Sequence, residues 1–374
     1  MKTCARCTLT ETADTIFYDA EGVCSVCRQH EVKHTGIDWA AKRHQLNAIA
    51  DSVRGTGTYD LVLPFSGAKD STFQLWFVIT QLKLRPLVCR INHHMYRPQI
   101  ARNIQRCQEK LGFDMVEFTP NWRVWRELMV ESLKRRGDNC YACHTSIYSY
   151  PMKVALQHGI KLICWGEALN EYQSWGTGWD EDVGEVRFNR AMNMGMTADD
   201  MFQFLEGRVE RRELEPFAYP SAEALRALGV RSLCLGSFIK WDARANTEII
   251  QAELGWEGAV VEGTAPGYTW DKTECRNQGT RDWLRYLKRG QGRTSHHANI
   301  DIRDGRLTRE QGVEMAREYD GKEPASLPYI LDKMGVSRDE FYEIAAAHTV
   351  DPWEGIEGKN IEVGTALPDM QEWK

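Results

Sequence analysis

Residues 66 to 71 read Ser66-Gly67-Ala68-Lys69-Asp70-Ser71, between an apolar run and a helical stretch. Small residues let the backbone turn tightly, so that successive N–H groups and a helix N-terminus converge on one point, a site for phosphate. Ser66 and Ser71 add hydroxyls, Lys69 a positive charge, and Asp70 an oxygen ligand for Mg2+. The Walker pattern is absent. The bland reading of this hexapeptide is an ordinary helix cap on Ser66 or Asp70.

A second chemistry is carried by thiols. Four of the 11 cysteines stand as Cys4-x2-Cys7 and Cys24-x2-Cys27. Each pair places two thiolates on a tight knuckle, and two knuckles make the four-sulfur tetrahedron that Zn2+ prefers. The segment between them reads as a short hairpin with a turn at Asp19 to Gly22, too small to fold without metal. Cys140-x2-Cys143 is a single pair, consistent with a second metal site, a redox pair or two thiols at a helix start. Cys234 or Cys275 could supply a third ligand there. Cys89 and Cys164 lie in apolar runs and read as buried small hydrophobes.

The elements that must position these residues alternate. YDLVLPF (59 to 65) reads as a buried strand before the loop and TFQLWFVITQLKL as the helix after it. PLVCRI is a strand, RPQIARNIQRCQEKLG a helix with Pro98 in its first turn, and DMVEF a strand. YPMKVALQHG reads as helix and KLICWGE as strand, and a further strand precedes Trp241 and Asp242, with Asp242 placed to cap a helix from about Arg244. Alternation of this kind implies a parallel sheet with ligands at the strand C-termini. Glu167 falls there, as a pocket wall or a solvated loop acid. Asn92, His93 and His94 follow the second strand, the histidines as readily surface residues as ligands.

Composition narrows the class. The 374 residues carry 42% apolar and 27% charged side chains, ordinary for a globular enzyme, and a net charge of −6 that argues against a broad polyanion surface. With no 18-residue apolar run and no hydrophobic leader, the expected compartment is the cytoplasm and no membrane is expected as partner. From about residue 170 to 200 the chain turns aromatic, acidic and glycine-rich, a long functional loop in which Trp175 and Trp179 could stack on a sugar or base. Lys and Arg recur between Arg276 and Arg309, a local positive region suited to a phosphorylated or carboxylated substrate, with Arg293 and Arg303 as candidate contacts.

The loop SGAKDS resembles the SGGxDS pyrophosphate loop of the PP-loop ATP pyrophosphatases, with Ala68 where that family usually has Gly. A methyl there requires negative φ. The wider order of motifs is similar to that of the N-acetyl sugar amidotransferases of bacterial surface-polysaccharide synthesis, the WbpG and PseA type. It comprises the CxxC pair with FYDAEGVCSVC, SGAKDS, Cys140 and Cys143, Gly166-Glu167, Trp241-Asp242 with Asn246, Gly263-Thr264, Gly292-Arg293, IDIRDGRLTRE and YDG. The resemblance implies an α/β fold: a parallel-sheet PP-loop core (36 to 255, lid loop 170 to 200), an N-terminal zinc ribbon (1 to 35) and a mostly helical C-terminal substrate or partner region (256 to 374).

It implies an ATP- and Mg2+-dependent carbon–nitrogen ligase with Zn2+ in the ribbon. The expected substrate is a nucleotide-linked sugar such as a UDP-diacetamido-uronic acid of O-antigen synthesis. Ser66 to Ser71 would hold ATP and pyrophosphate, with Lys69, Asp70 and Glu167 as catalytic groups. Neither an N-terminal Cys nor a G-x-C-x-G elbow is present, so ammonia is expected from a separate glutaminase subunit. Two rivals stand beside this reading. One is a PP-loop tRNA sulfurtransferase with an iron-sulfur cluster on Cys140, Cys143 and Cys234, and the other a zinc-ribbon binding module that only senses nucleotide.

Overall fold

The structure is a computed structural model that describes residues 1–168, 171, 194–356 and 361–373. The four-residue strand β1 (Leu61–Pro64) alternates its side chains, sending Leu61 and Leu63 into one apolar layer and Val62 into the opposite one. β2 (Pro86–Ile91), β3 (Asp114–Phe118), β4 (Leu162–Trp165) and β5 (Arg231–Cys234) join it in a sheet of order β3-β2-β1-β4-β5, and every pairing is parallel. The chain winds outward from β1 on one side and then returns to place β4 on the other. β1 and β4 are thus neighbours at the switch point, where the loops leaving both strands open a crevice.

Helices cover both faces. α1 (Ser25–Thr35) belongs to the ribbon, and α2 (Trp39–Val53) sends Leu46 and Ala50 into the first layer. α3 (Lys69–Thr80) and α4 (Pro98–Leu111) pack in that same layer. α4 starts on Pro98 in its first turn, as the sequence predicts. α5 (Trp122–Arg136) and α6 (Tyr141–His158) follow, and α6 crosses β1 and β2 on the opposite face through Met152, Val154 and Ala155. After α7 (Ala198–Phe204) and α8 (Ala222–Leu228), α9 (Ala243–Leu254) packs on α3, capped by Asp242 as expected, with Oδ1 accepting from the N–H groups of Arg244 and Ala245.

The C-terminal part is helical: α10 (Gln278–Arg289), α11 (Arg293–Arg303), α12 (Arg309–Tyr319), α13 (Leu327–Met334) and α14 (Arg338–Ala347). Trp283, Leu284 and Leu287 of α10 share one core with Leu128 and Leu133 of α5 and with Phe341. α6 begins nine residues before the expected start at Tyr150, so that Cys140 is its N-cap and Pro151 lies inside it. Among the described residues no helix is long and apolar enough to cross a membrane.

Candidate functional site

The loop Ser66 to Ser71 fills the turn from β1 into α3. Gly67 has φ +81°, and a Cβ there would meet Ile104 Cγ1 at 2.9 Å, so the backbone lies flush against α4 and only glycine fits. Ala68 has φ −77°, which seats the methyl without strain. Ser66 and Ser71 close the turn: the Ser66 N–H donates to Ser71 Oγ at 3.1 Å, the two hydroxyls lie 3.0 Å apart, and the Ala68 N–H donates to Ser66 Oγ at 3.2 Å. Trp256 Nε1 donates to the Gly67 carbonyl at 2.9 Å and pins the loop from outside.

Lys69 and Asp70 open α3, and Lys69 is answered from the C-terminal part. The buried Lys69 ammonium pairs with Asp70 Oδ2 and, at 2.8 Å, with Asp271 Oδ1. Burial disfavours that charge, but Asp271, Asp70 and Glu167 outweigh it and raise the pKa. Asp271 also faces His297 Nε2 at 2.9 Å and Arg293 Nη1 at 3.4 Å. Burial alone would raise its pKa, yet Lys69, His297 and Arg293 hold it well below the carboxylate range. Arg293 grips Asp282 with two nitrogens, at 3.0 and 2.8 Å, and Gln278 supports Asp282 at 2.9 Å. His297 stacks on Tyr268 with centroids 4.4 Å apart.

Two polar atoms in this network lack a protein partner: Asp70 Oδ1 and His297 Nδ1, both buried. A buried carboxylate oxygen left open beside a phosphate loop fits a divalent cation, and Asp70 is the residue that would hold Mg2+ there. Glu167, on the turn leaving β4, is brought into the same field. Burial first, then the charge of Asp70, pushes it up to about 7 against the pull of Lys272 and Lys69. The expected catalytic residues Lys69, Asp70 and Glu167 therefore meet at the switch point.

Other candidates fall elsewhere. Arg293 lies in the network, but its guanidinium is committed to Asp282 and Asp271. Arg303, at the opposite end of α11, acts on Cys7 and Glu171. Trp175 and Trp179 lie outside the described residues. His93 is buried, not on the surface, its ring 3.8 Å from that of Tyr96, and burial followed by the charge of Arg90 pushes its pKa down to about 3. His94 Nε2 lies 2.7 Å from the Pro120 carbonyl. Asp271, Lys272, Asp282 and His297 were missed. The only signal was their placement in YTWDK, TRDWL and RTSHH, within the stretch already read as substrate-facing.

The ribbon cysteines converge. Cys4, Cys7, Cys24 and Cys27 are buried with all four sulfurs within 4.8 Å of one another, and Cys7 and Cys24 Sγ lie 3.8 Å apart. That equals the edge of a tetrahedron with metal–sulfur bonds of 2.3 Å, about 3.8 Å. N–H groups of Arg6, Cys7 and Cys24 point at Cys4 Sγ, as thiolates require. The expected turn is present, with the Gly22 N–H donating to the Asp19 carbonyl at 3.0 Å.

The ribbon is seated on the C-terminal helices. Thr8 donates through N–H and Oγ1 to Asn299 Oδ1 at 2.8 and 2.6 Å, and Arg309 reaches the Cys7 carbonyl at 3.2 Å. Cys140 and Cys143 begin α6. Cys140 Sγ takes a hydrogen bond from Asn277 at 3.4 Å, and burial pushes the Cys143 thiol up to about 12. Both candidates for a third ligand border this helix: Cys275 acts on Cys140 and Cys143, while Cys234 and Cys143 both act on Tyr148.

Residues 262–356, which supply Asp271, Asp282, Arg293 and His297, match a family model described as LPS biosynthesis protein WbpG-like, C-terminal domain. This segment is similar to the WbpG-like C-terminal domain. The resemblance read from the motifs is borne out there, and the core it packs against is the expected parallel α/β sheet, with SGAKDS at the turn from β1 into α3. An uncharacterized protein of Methanocaldococcus jannaschii, MJ1599, is 23% identical over 167 residues, 44% of this chain and 59% of that protein, so the chain spans under two thirds of this relative's length.

Among solved structures, the U34-tRNA thiolase NcsA from Methanococcus maripaludis with its 4Fe-4S cluster is similar at 12% identity and TM-score 0.36, covering 86% of this chain and 87% of that one. NMN synthetase from Francisella tularensis matches at 12% and 0.30, covering 60% and 98%. The NH3-dependent NAD synthetase from Campylobacter jejuni matches at 11% and 0.30, covering 60% and 100%.

Proposed function

We propose that the chain is the ATP-dependent synthetase subunit of an N-acetyl sugar amidotransferase, converting an acetamido group of a nucleotide-linked sugar to an acetamidino group for surface polysaccharide. The observation that carries this reading is the ion pair of Lys69 with Asp271. It joins a pyrophosphate loop with an unpartnered Asp70 oxygen to a WbpG-like domain. On this reading the ribbon (1 to 35) seats the C-terminal part, the core (36 to 255) handles ATP, and the C-terminal part (256 to 374) closes the pocket over the sugar.

An amide carbon is a poor electrophile, so its oxygen attacks the α-phosphorus of ATP and pyrophosphate departs. Ammonia then adds to the carbon of the adenylylated imidate, the C–O bond breaks, and AMP leaves with the former amide oxygen. Ser66 to Ser71 direct N–H and hydroxyl groups at the departing pyrophosphate, while Lys69, fixed between two carboxylates, supplies charge at one point. Mg2+ on Asp70 would neutralise phosphate charge. Glu167, poised near neutrality, is suited to take the proton that incoming ammonia must shed. A separate glutaminase supplies the ammonia.

The test is mass spectrometry of UDP-linked diacetamido sugars incubated with the chain, ATP, Mg2+ and an ammonium salt. Replacement of O by NH is expected, and Asp70→Ala should lower the rate by about 100-fold or more. Pyrophosphate release that no sugar nucleotide stimulates would sink the proposal.

A second reading, sulfur transfer to tRNA through an iron-sulfur cluster, rests on the pair Cys140 and Cys143 at the start of α6, which no third ligand joins within 4.8 Å among the described residues. Stoichiometric iron in protein purified without oxygen, with thiolation of tRNA, would select it.

A further inference from the structure

A second group of metal-ligating side chains converges away from the phosphate loop. His30 and His34 lie one turn apart on α1, so both imidazoles leave the same face, with ring centroids 4.2 Å apart. Asp304, the residue that caps the C-terminal end of α11, meets them from the other end of the chain. Its Oδ1 lies 2.7 Å from His30 Nε2 and 3.9 Å from His34 Nε2. The three ligand atoms fall within 4.8 Å of one another. We propose that His30, His34 and Asp304 form a second divalent-metal site, of Zn2+ class, that clamps the ribbon helix to the WbpG-like domain.

The donor set decides the class. Two imidazole nitrogens and one carboxylate oxygen suit Zn2+ and its neighbours in the first transition row, and three protein ligands leave a fourth position for water. Tetrahedral bonds of 2.0 to 2.1 Å separate ligand atoms by about 3.3 Å, and the observed 2.7 and 3.9 Å bracket that value. The carboxylate is already oriented, because Arg306 Nη1 holds Asp304 Oδ2 at 2.8 Å and leaves Oδ1 toward the histidines.

Three cations stand around the site: Arg306, which holds Asp304 itself, Lys33, and Lys240, which acts on His34. Lys33 pairs with Glu171 and donates to the Trp241 carbonyl, and Arg306 also reaches Asp301 and Asp242. His34 is exposed, which gives an ion its way in. The ribbon offers only sulfur and this group only nitrogen and oxygen, so the two sites are chemically distinguishable. α11 begins beside the Lys69 network at Arg293 and ends at Asp304, so an ion here fixes the far end of a helix that serves the phosphate site.

The experiment is a Co2+ titration of the full chain followed by absorption spectroscopy. The expected result is one tightly held equivalent whose ligand-field bands come without thiolate-to-cobalt charge transfer. It should be lost in His34→Ala and in Asp304→Asn, while circular dichroism stays unchanged. Absence of any such nitrogen- and oxygen-bound equivalent in the wild-type chain, or its persistence in a His30→Ala/His34→Ala variant, would overturn the proposal. The charge-transfer band reports ribbon thiols separately, and neither signal depends on the sugar reaction.

Discussion

In the first 27 residues four buried sulfurs face one another with little besides Leu9, Val23 and Val26 for apolar support, whereas around Lys69 the buried polar atoms are charges of both signs that already answer each other. The ribbon has a donor set and no internal cation, so its order depends on an ion from outside. The Lys69 network sets Asp271, Asp70 and Asp282 against Lys69, Arg293 and His297, so its charges are in place before any ligand arrives. One region would gain its fold from a bound metal; the other holds strong charges ready at a cost in desolvation that packing must offset.

The largest effect should separate the two. Cys4→Ser with Cys24→Ser removes half of the ligand set, and structural zinc sites of this kind carry about 10 kcal/mol of folding energy in isolation. The ribbon should lose its metal and become a target for limited proteolysis while the sheet persists; a double variant with full zinc content and a protected ribbon would erase the contrast. Next comes Asp271→Asn, which leaves Lys69, Arg293 and His297 short of a carboxylate. A loss of about 3–5 kcal/mol is expected in denaturant titrations, together with weaker ATP binding, and an unchanged midpoint would show that the network is not electrostatically tight.

Glu167 sharpens the comparison through pH. Its folded-state pKa lies above the ordinary 4.5, at about 7, so the folded state holds the proton more firmly than the unfolded chain does. Stability contributed by this group is full below pH 4.5 and falls as pH rises toward 7. Glu167→Gln should remove that fall, gaining roughly 1–3 kcal/mol on the wild type between those limits, read as a widening difference in Tm. A parallel pair of curves would contradict it. The smallest effect belongs to the seam: Asn299→Ala removes the acceptor for two Thr8 donors and should cost about 1–2 kcal/mol of ribbon docking, visible as faster amide exchange at Thr8.

The same contrast explains what could be read in advance. The cysteine knuckles and SGAKDS are local, so spacing alone revealed their geometry, and Ala68 has the negative φ its methyl demands. Asp271 was hidden because nothing in GYTWDKTEC says which sheet edge that loop returns to, and a charged residue in a loop is usually solvated. The early start of α6 was missed because Pro151 reads as a first-turn residue. Inside the helix it forgoes the hydrogen bond to the Ile147 carbonyl and its ring crowds that carbonyl, a cost that the packing of Met152 and Val154 must offset.

The hydrogen bonds from Thr8 to Asn299 span 291 residues. On the ribosome the ribbon is therefore made well before its dock, which is translated only after the whole sheet. Throughout that interval it must wait as a tethered, undocked knuckle, and assembly joins two segments far apart in the chain.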